Sequence, residues 1–238
     1  MNKEWIKQGN RRNLVLFFNG WGMDANAIKH LDCKGYDVLM LNNYNNPKDF
    51  NEDTIRAIKL PGKNGQNKTV NSYPNIYVVA WSLGVWAASQ LLSKNSINIK
   101  KAIAINGTLN PVNNNEGIPD SIFEGTLSGW SKKTRERFLM RIAGGAKTYH
   151  KHRDKFGNRN IEEQKYELAS IYEQQKKSGV GKFSFDTLFT GSKDAVFTPQ
   201  NQLRCWQGQT QCVTLDMPHY PFLYFNSWQS ILYNNYGY

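Results

Sequence analysis

One stretch constrains the fold of this 238-residue chain more than any other: residues 76–92, IYVVAWSLGVWAASQLL. A β-branched apolar run ends at a serine, and a segment that is apolar on every side starts directly after it. A strand and a helix that are both fully apolar can only sit inside a sheet covered on its two faces. Other apolar, β-branched runs read as buried strands: 14–18 (LVLFF), 36–41 (YDVLML), 102–105 (AIAI), 187–190 (TLFT) and 212–215 (CVTL). They alternate with helix-like segments, the last at 222–232. That alternation predicts a mostly parallel sheet flanked by helices, and the length suits one domain spanning 1–238.

The turn between strand and helix is Ala80-Trp81-Ser82-Leu83-Gly84. Small residues two places either side of the serine let the strand turn sharply into the helix, because a larger side chain there meets the neighbouring backbone. This is a nucleophile elbow with Ala80 in place of the usual first glycine. A serine hydroxyl needs a general base. Of His30, His150, His152 and His219, only His219 follows the last strand, in CVTLDMPHYPF, and it is read as the base. Asp194, in FTGSKDAVF after the preceding strand, is the expected acid, with Asp216 its competitor three residues before His219. Backbone amides must meet the oxyanion. Leu83 supplies one, and Trp21, in FFNGWGMD after the first of these strands, is expected to supply the other. Elbow, amide-bearing loop and the chain order Ser…Asp…His make up the pattern of an α/β-hydrolase fold. Neither a metal nor an organic cofactor is required by such chemistry.

Two further motifs carry less. The stretch 62–69 (GKNGQNKT) resembles a phosphate-binding loop, but Asn67 stands where its second glycine is required. His150 and His152 lack a nearby carboxylate or cysteine set for a metal. The large aromatics Trp81, Trp86, Phe123, Phe138 and Tyr149 either line a substrate channel or simply fill the core.

An insertion at 108–182, between the fourth and fifth of these strands, is too long for a plain connection and reads as a largely helical cap. The formal net charge is +11, and residues 130–160 hold ten Lys or Arg against Glu136 and Asp154. Concentrated charge of this sign suits an acidic partner. Nucleic acid is one such partner, although no recognised nucleic-acid module is present. No run of about 18 apolar residues suggests a membrane span, and no signal peptide is evident. Three cysteines (Cys33, Cys205, Cys212) without metal-ligand spacing fit a reducing cytoplasm, where the sequons at Asn67 and Asn106 carry no meaning.

With these pieces placed, NGWGMD, AWSLGVWA, FTGSKDAVFTP and MPHYPF, in this order, resemble the pimeloyl-[acyl-carrier protein] methyl ester esterases of biotin biosynthesis, in particular their short, BioG-like branch. The resemblance runs over essentially the whole chain. It implies hydrolysis of the terminal methyl ester of pimeloyl-[acyl-carrier protein] to the free acid and methanol. It implies Ser82, Asp194 and His219 as catalytic triad, with Trp21 and Leu83 as oxyanion donors. It also implies that the insertion binds the acidic acyl carrier protein through arginines, for which Arg135, Arg137, Arg141, Arg153 and Arg159 are the candidates. A general short-chain carboxylesterase or thioesterase without carrier specificity is the alternative, and an inert hydrolase fold used for binding is a more distant one.

Overall fold

In the computed structural model, which describes residues 1–9, 11–51, 53–60, 68–94 and 97–233, the strands are β1 (Asn2–Lys7), β2 (Asn13–Phe18), β3 (Tyr36–Asn42), β4 (Lys59–Leu60), β5 (Lys68–Thr69), β6 (Asn75–Trp81), β7 (Ile99–Ile105), β8 (Thr187–Lys193) and β9 (Gln211–Pro218). The helices are α1 (Asp53–Arg56), α2 (Leu83–Leu92), α3 (Asp120–Ser128), α4 (Lys132–Ile142), α5 (Ala146–Lys151), α6 (Ile161–Ser178), α7 (Pro199–Trp206) and α8 (Trp228–Tyr233). The phosphate-loop-like stretch lies outside the described residues up to residue 67, the sequon Asn67 included.

Seven strands make one sheet in the order β1-β3-β2-β6-β7-β8-β9, and β4 pairs with β5 apart from it. Within the seven-stranded sheet neighbours run parallel except β1, which is antiparallel to β3. This is the mostly parallel, helix-flanked sheet expected from the alternating runs. β2 shows why its run reads as continuous: Leu14, Leu16 and Phe18 face one core, while Val15 and Phe17 face the other. Helix α2 packs into the first core, and α8 with α4 and α5 into the second.

β1 escapes the sequence reading because its residues are mostly exposed and Lys3, Glu4 and Lys7 mark it as polar; such charge suits an edge strand. Counted in the sheet, the insertion therefore follows the fifth strand rather than the fourth. The connection from β7 to β8 carries α3 to α6. The closing helix is shorter than expected, spanning Trp228–Tyr233 rather than 222–232. Ser227 caps it through a bond from the Ser230 amide at 3.0 Å, and the preceding residues bridge to Asp32 instead.

The strand order places the site. From β2 the chain steps to β3 on one side, then returns to β6 on the other. The carboxyl ends of β2 and β6 thus flank the point where winding reverses, the place where open α/β sheets hold ligands. The loop with Trp21 and the elbow with Ser82 leave from those two ends.

Candidate active site

Ser82 sits at the turn between β6 and α2 with φ 58° and ψ −130°, left-handed values unusual for a residue with a side chain. Its amide donates to the Ile105 carbonyl at 3.0 Å, tying the elbow to the neighbouring strand. A serine before a helix usually turns its hydroxyl back to cap the first turn. Here it makes no capping bond, so the hydroxyl is left for other work. Gly84 explains the motif's tightness: a Cβ there would lie 2.3 Å from the Phe18 carbonyl oxygen and 2.6 Å from that of Asn19.

Ser82 Oγ lies 2.9 Å from His219 Nε2, and His219 Nδ1 lies 2.9 Å from Asp194 Oδ2. All three are buried. A carboxylate only accepts, so Nδ1 carries the proton and Nε2 is left to accept from the serine. Asp194 also accepts from the amides of Val196 and Phe197 at 2.8 and 3.0 Å, and from Gln202 Nε2 at 3.1 Å. Asp216 takes no part in this set. It is exposed and pairs with Lys193 and Ser192, and those bonds hold its carboxyl below the usual range. The imidazole is flanked by Phe197, stacked at 6.0 Å, while Trp81 Nε1 donates to the His219 carbonyl at 2.8 Å.

Leu83 and Trp21 both line the space beside Ser82. The Trp21 loop is gripped from outside by α6. Trp21 Nε1 donates to the Gln164 carbonyl at 2.7 Å, and the single proton of the Tyr44 hydroxyl is shared between the carbonyls of Asn19 and Leu41, each 2.9 Å away. Glu167, fully buried, accepts from the Tyr44 amide at 2.9 Å and from Arg159 Nη1 at 2.6 Å. Burial pushes the Tyr44 phenol well above its ordinary value.

Above Ser82 and His219 lies a narrow slot of about 50 Å³, lined by Trp21, Met23, Trp81, Ile118, Ile122, Phe123, Phe138, Ile142, Leu168 and Val196. Three of the five aromatics singled out, Trp81, Phe123 and Phe138, line it. Trp86 packs against Phe50, and Tyr149 against Phe156, as core. Among the described residues, Arg141 is the charged side chain that lines the slot. Ile122, Thr126, Phe138 and Arg141 are shared with an open groove of about 340 Å³, to which Gly125, Gly129, Trp130 and Arg137 also contribute.

The five arginines do not act alike. Arg137, Arg141 and Arg153 are exposed. Arg159 is not available to a partner, because its guanidinium is spent on buried Glu167. Arg135 donates to the Gly157 carbonyl, is half-buried, and is lowered in pKa by that burial. His30 bonds the Phe222 carbonyl at 2.6 Å. Among the described residues no group of three or more His, Cys, Asp or Glu could hold a metal, and no helix is long and apolar enough to cross a membrane. Sequence reasoning missed Asn106, Gln202, Glu167 and Tyr44, whose roles come from long-range buried bonds that leave no local pattern.

Sheet order, elbow and loop arrangement together define an α/β-hydrolase. Solved structures agree on the fold: an esterase from Exiguobacterium antarcticum aligns with TM-score 0.60 at 14% identity over 93% of this chain and 89% of that one. Residues 1–231 match the family described as pimeloyl-ACP methyl esterase BioG, and the chain belongs to that family. The crystal structure of BioG from Haemophilus influenzae is 28% identical, covers 98% of this chain and 100% of that one, and has TM-score 0.83. A Bacteroides fragilis (strain 638R) protein described as malonyl-[acyl-carrier protein] O-methyltransferase is 34% identical over 197 residues. That match takes in 83% of this chain but only 37% of the length of the relative.

Proposed function

We propose that this chain is a serine carboxylesterase that hydrolyses the methyl ester of pimeloyl-[acyl-carrier protein] methyl ester, in cytoplasmic biotin biosynthesis. The observation that carries the reading is the hydrogen-bonded set Ser82, His219 and Asp194 at the floor of an apolar slot, in a member of this esterase family. His219 Nε2 takes the proton as Ser82 Oγ attacks the ester carbonyl, while Asp194 holds the imidazole orientation and stabilises the imidazolium. The Leu83 and Trp21 amides donate to the oxyanion. The protonated Nε2 then gives its proton to the leaving methoxide, methanol departs, and water attacks the acyl-enzyme by the same route. No metal or organic cofactor enters this scheme.

The helices between β7 and β8, within 108–182, serve in this reading as a cap, and the groove shared with the slot lets the attached part of the substrate leave. Exposed Arg137, Arg141 and Arg153 face the acidic acyl carrier protein, and their charge speeds encounter and sets orientation. The Bacteroides relative supports the setting: a protein named for methylating a carrier-bound acyl group includes a stretch like this chain, which would take such a methyl group off.

The test compares kcat/KM on methyl-pimeloyl carrier protein and on free monomethyl pimelate at low and high salt. The reading requires a carrier preference that weakens with salt, shrinks in Arg137→Ala/Arg141→Ala, and disappears with all turnover in Ser82→Ala. Equal rates on the two substrates would favour a general esterase or thioesterase.

A further inference from the structure

Asn106 follows β7 in the left-handed region, at φ 46°, and is completely buried. Asparagine is one of the few residues with a side chain that enters this region readily. Its backbone amide donates to the Phe189 carbonyl at 2.9 Å, joining it to β8. Its side chain reaches three further groups. Nδ2 donates to the carbonyls of Pro218 and His219, each at 2.9 Å, and Oδ1 accepts from the Gly191 amide at 2.7 Å. Two acceptors on one side and one donor on the other admit only this amide orientation.

The next residue extends the junction to the elbow. A Cβ at Gly107 would come within 2.4 Å of the Ser82 carbonyl oxygen, so Asn106-Gly107 lies directly against the nucleophile's backbone. Three segments that leave different strands meet here: the elbow after β6, the end of β8 three residues before Asp194, and the turn bearing His219. Distances of 2.9 Å between Ser82, His219 and Asp194 depend on those three backbones keeping their spacing. Nothing in the hydrolysis scheme uses Asn106 directly.

From this junction we infer that Asn106 is a positioning residue for His219: its carboxamide clamps the His219 turn to the strand that carries the acid and so sets the imidazole against Ser82. The inference rests on the reading of Ser82, His219 and Asp194 as the reacting set. Its chemistry is specific. Aspartate keeps the shape and the acceptor for Gly191 but turns a carboxylate toward two carbonyl oxygens. Glycine keeps the left-handed backbone at no strain and loses all three side-chain bonds. A misplacement of the base by a fraction of an ångström to one ångström slows the chemical step about 10²-fold without touching substrate binding.

The experiment measures kcat and KM for a soluble p-nitrophenyl ester, and the rate of fluorophosphonate labelling of Ser82, in wild type, Asn106→Gly, Asn106→Asp and Ser82→Ala. The expected result is a loss of about 10²-fold in kcat for Asn106→Gly, KM within about threefold of wild type, and labelling slowed in parallel. A folded Asn106→Gly protein with wild-type kcat and labelling rate, even at lower Tm, would assign Asn106 a structural role only and overturn the inference. If the glycine variant does not fold, Asn106→Asp is read by the same two outcomes. Turnover by Ser82→Ala would instead remove the underlying reading, which keeps the two failures apart.

Discussion

Replacing Gly84 by alanine adds one methyl group where two backbone segments already touch. The new Cβ would stand 2.3 Å from the Phe18 carbonyl oxygen and 2.6 Å from that of Asn19. Bringing the closer contact to even 3.0 Å requires the end of β2 and the start of α2 to part by about 0.7 Å. The β2 side cannot yield freely, since the Asn19 carbonyl is held by the Tyr44 hydroxyl and the Gly20 amide by Asn19 Oδ1. Such overpacking costs about 1–3 kcal/mol, offset by up to ~1 kcal/mol from the better helix propensity of alanine. A net loss near 1–2 kcal/mol lowers Tm by roughly 2–8 °C in a chain of this size. Activity suffers more. The separation falls between the amides of Leu83 and Trp21, and a misplacement approaching 1 Å costs about 10²-fold in kcat. Gly125→Ala is the internal control. It lies in α3 with nothing within 4 Å of the added methyl, and gains up to ~1 kcal/mol of stability. Calorimetry and p-nitrophenyl ester turnover on both variants check the contrast. Wild-type kcat in folded Gly84→Ala would refute the claim that this contact sets the spacing of the two amides.

On the proposed mechanism, Asp194→Asn should lower kcat by about 10⁴-fold, the scale known for the corresponding change in Ser-His-Asp enzymes, whereas Asp216→Asn, altering an exposed pair with Lys193, should leave turnover unchanged in the same assay. Glu167→Gln leaves the Arg159 guanidinium buried without its counter-charge and should cost ~3 kcal/mol, read as a lower Tm; adding Arg159→Met should recover part of the loss. Burial holds the His30 pKa below its ordinary 6.5, so the folded protein resists a proton that the unfolded chain accepts. The stability this group contributes is complete above about pH 6.5 and is lost as pH falls through the lower folded value. Denaturant titrations at descending pH should therefore show a shallower acid decline for His30→Gln than for wild type.

The residues differ in how openly the sequence declares them. The elbow is legible because steric demand at Gly84 and burial on both sides of Ser82 are local properties. His219 is legible by its place after the last strand; Asp194 Oδ2 lies 2.9 Å from its Nδ1, whereas Asp216 pairs with a lysine on the adjoining strand. β1 is hidden by its charged, exposed edge character. Arg159 looks like its neighbours in a basic stretch; only the fold brings Glu167, eight residues on, to neutralise it. Asn106, read in sequence as half of a sequon, proves to be a fully buried junction. Its side-chain partners lie 85 to 113 residues away, beyond any local pattern.

The central claim is that this chain removes a methyl group from a carrier-bound ester through Ser82. Intact mass of methyl-pimeloyl carrier protein, taken before and after incubation with wild type and with Ser82→Ala, tests it most directly. The account predicts loss of one methylene's mass with wild type and no change with the variant. An unchanged mass with wild-type protein that still labels with a fluorophosphonate, or the same loss with Ser82→Ala, would contradict it.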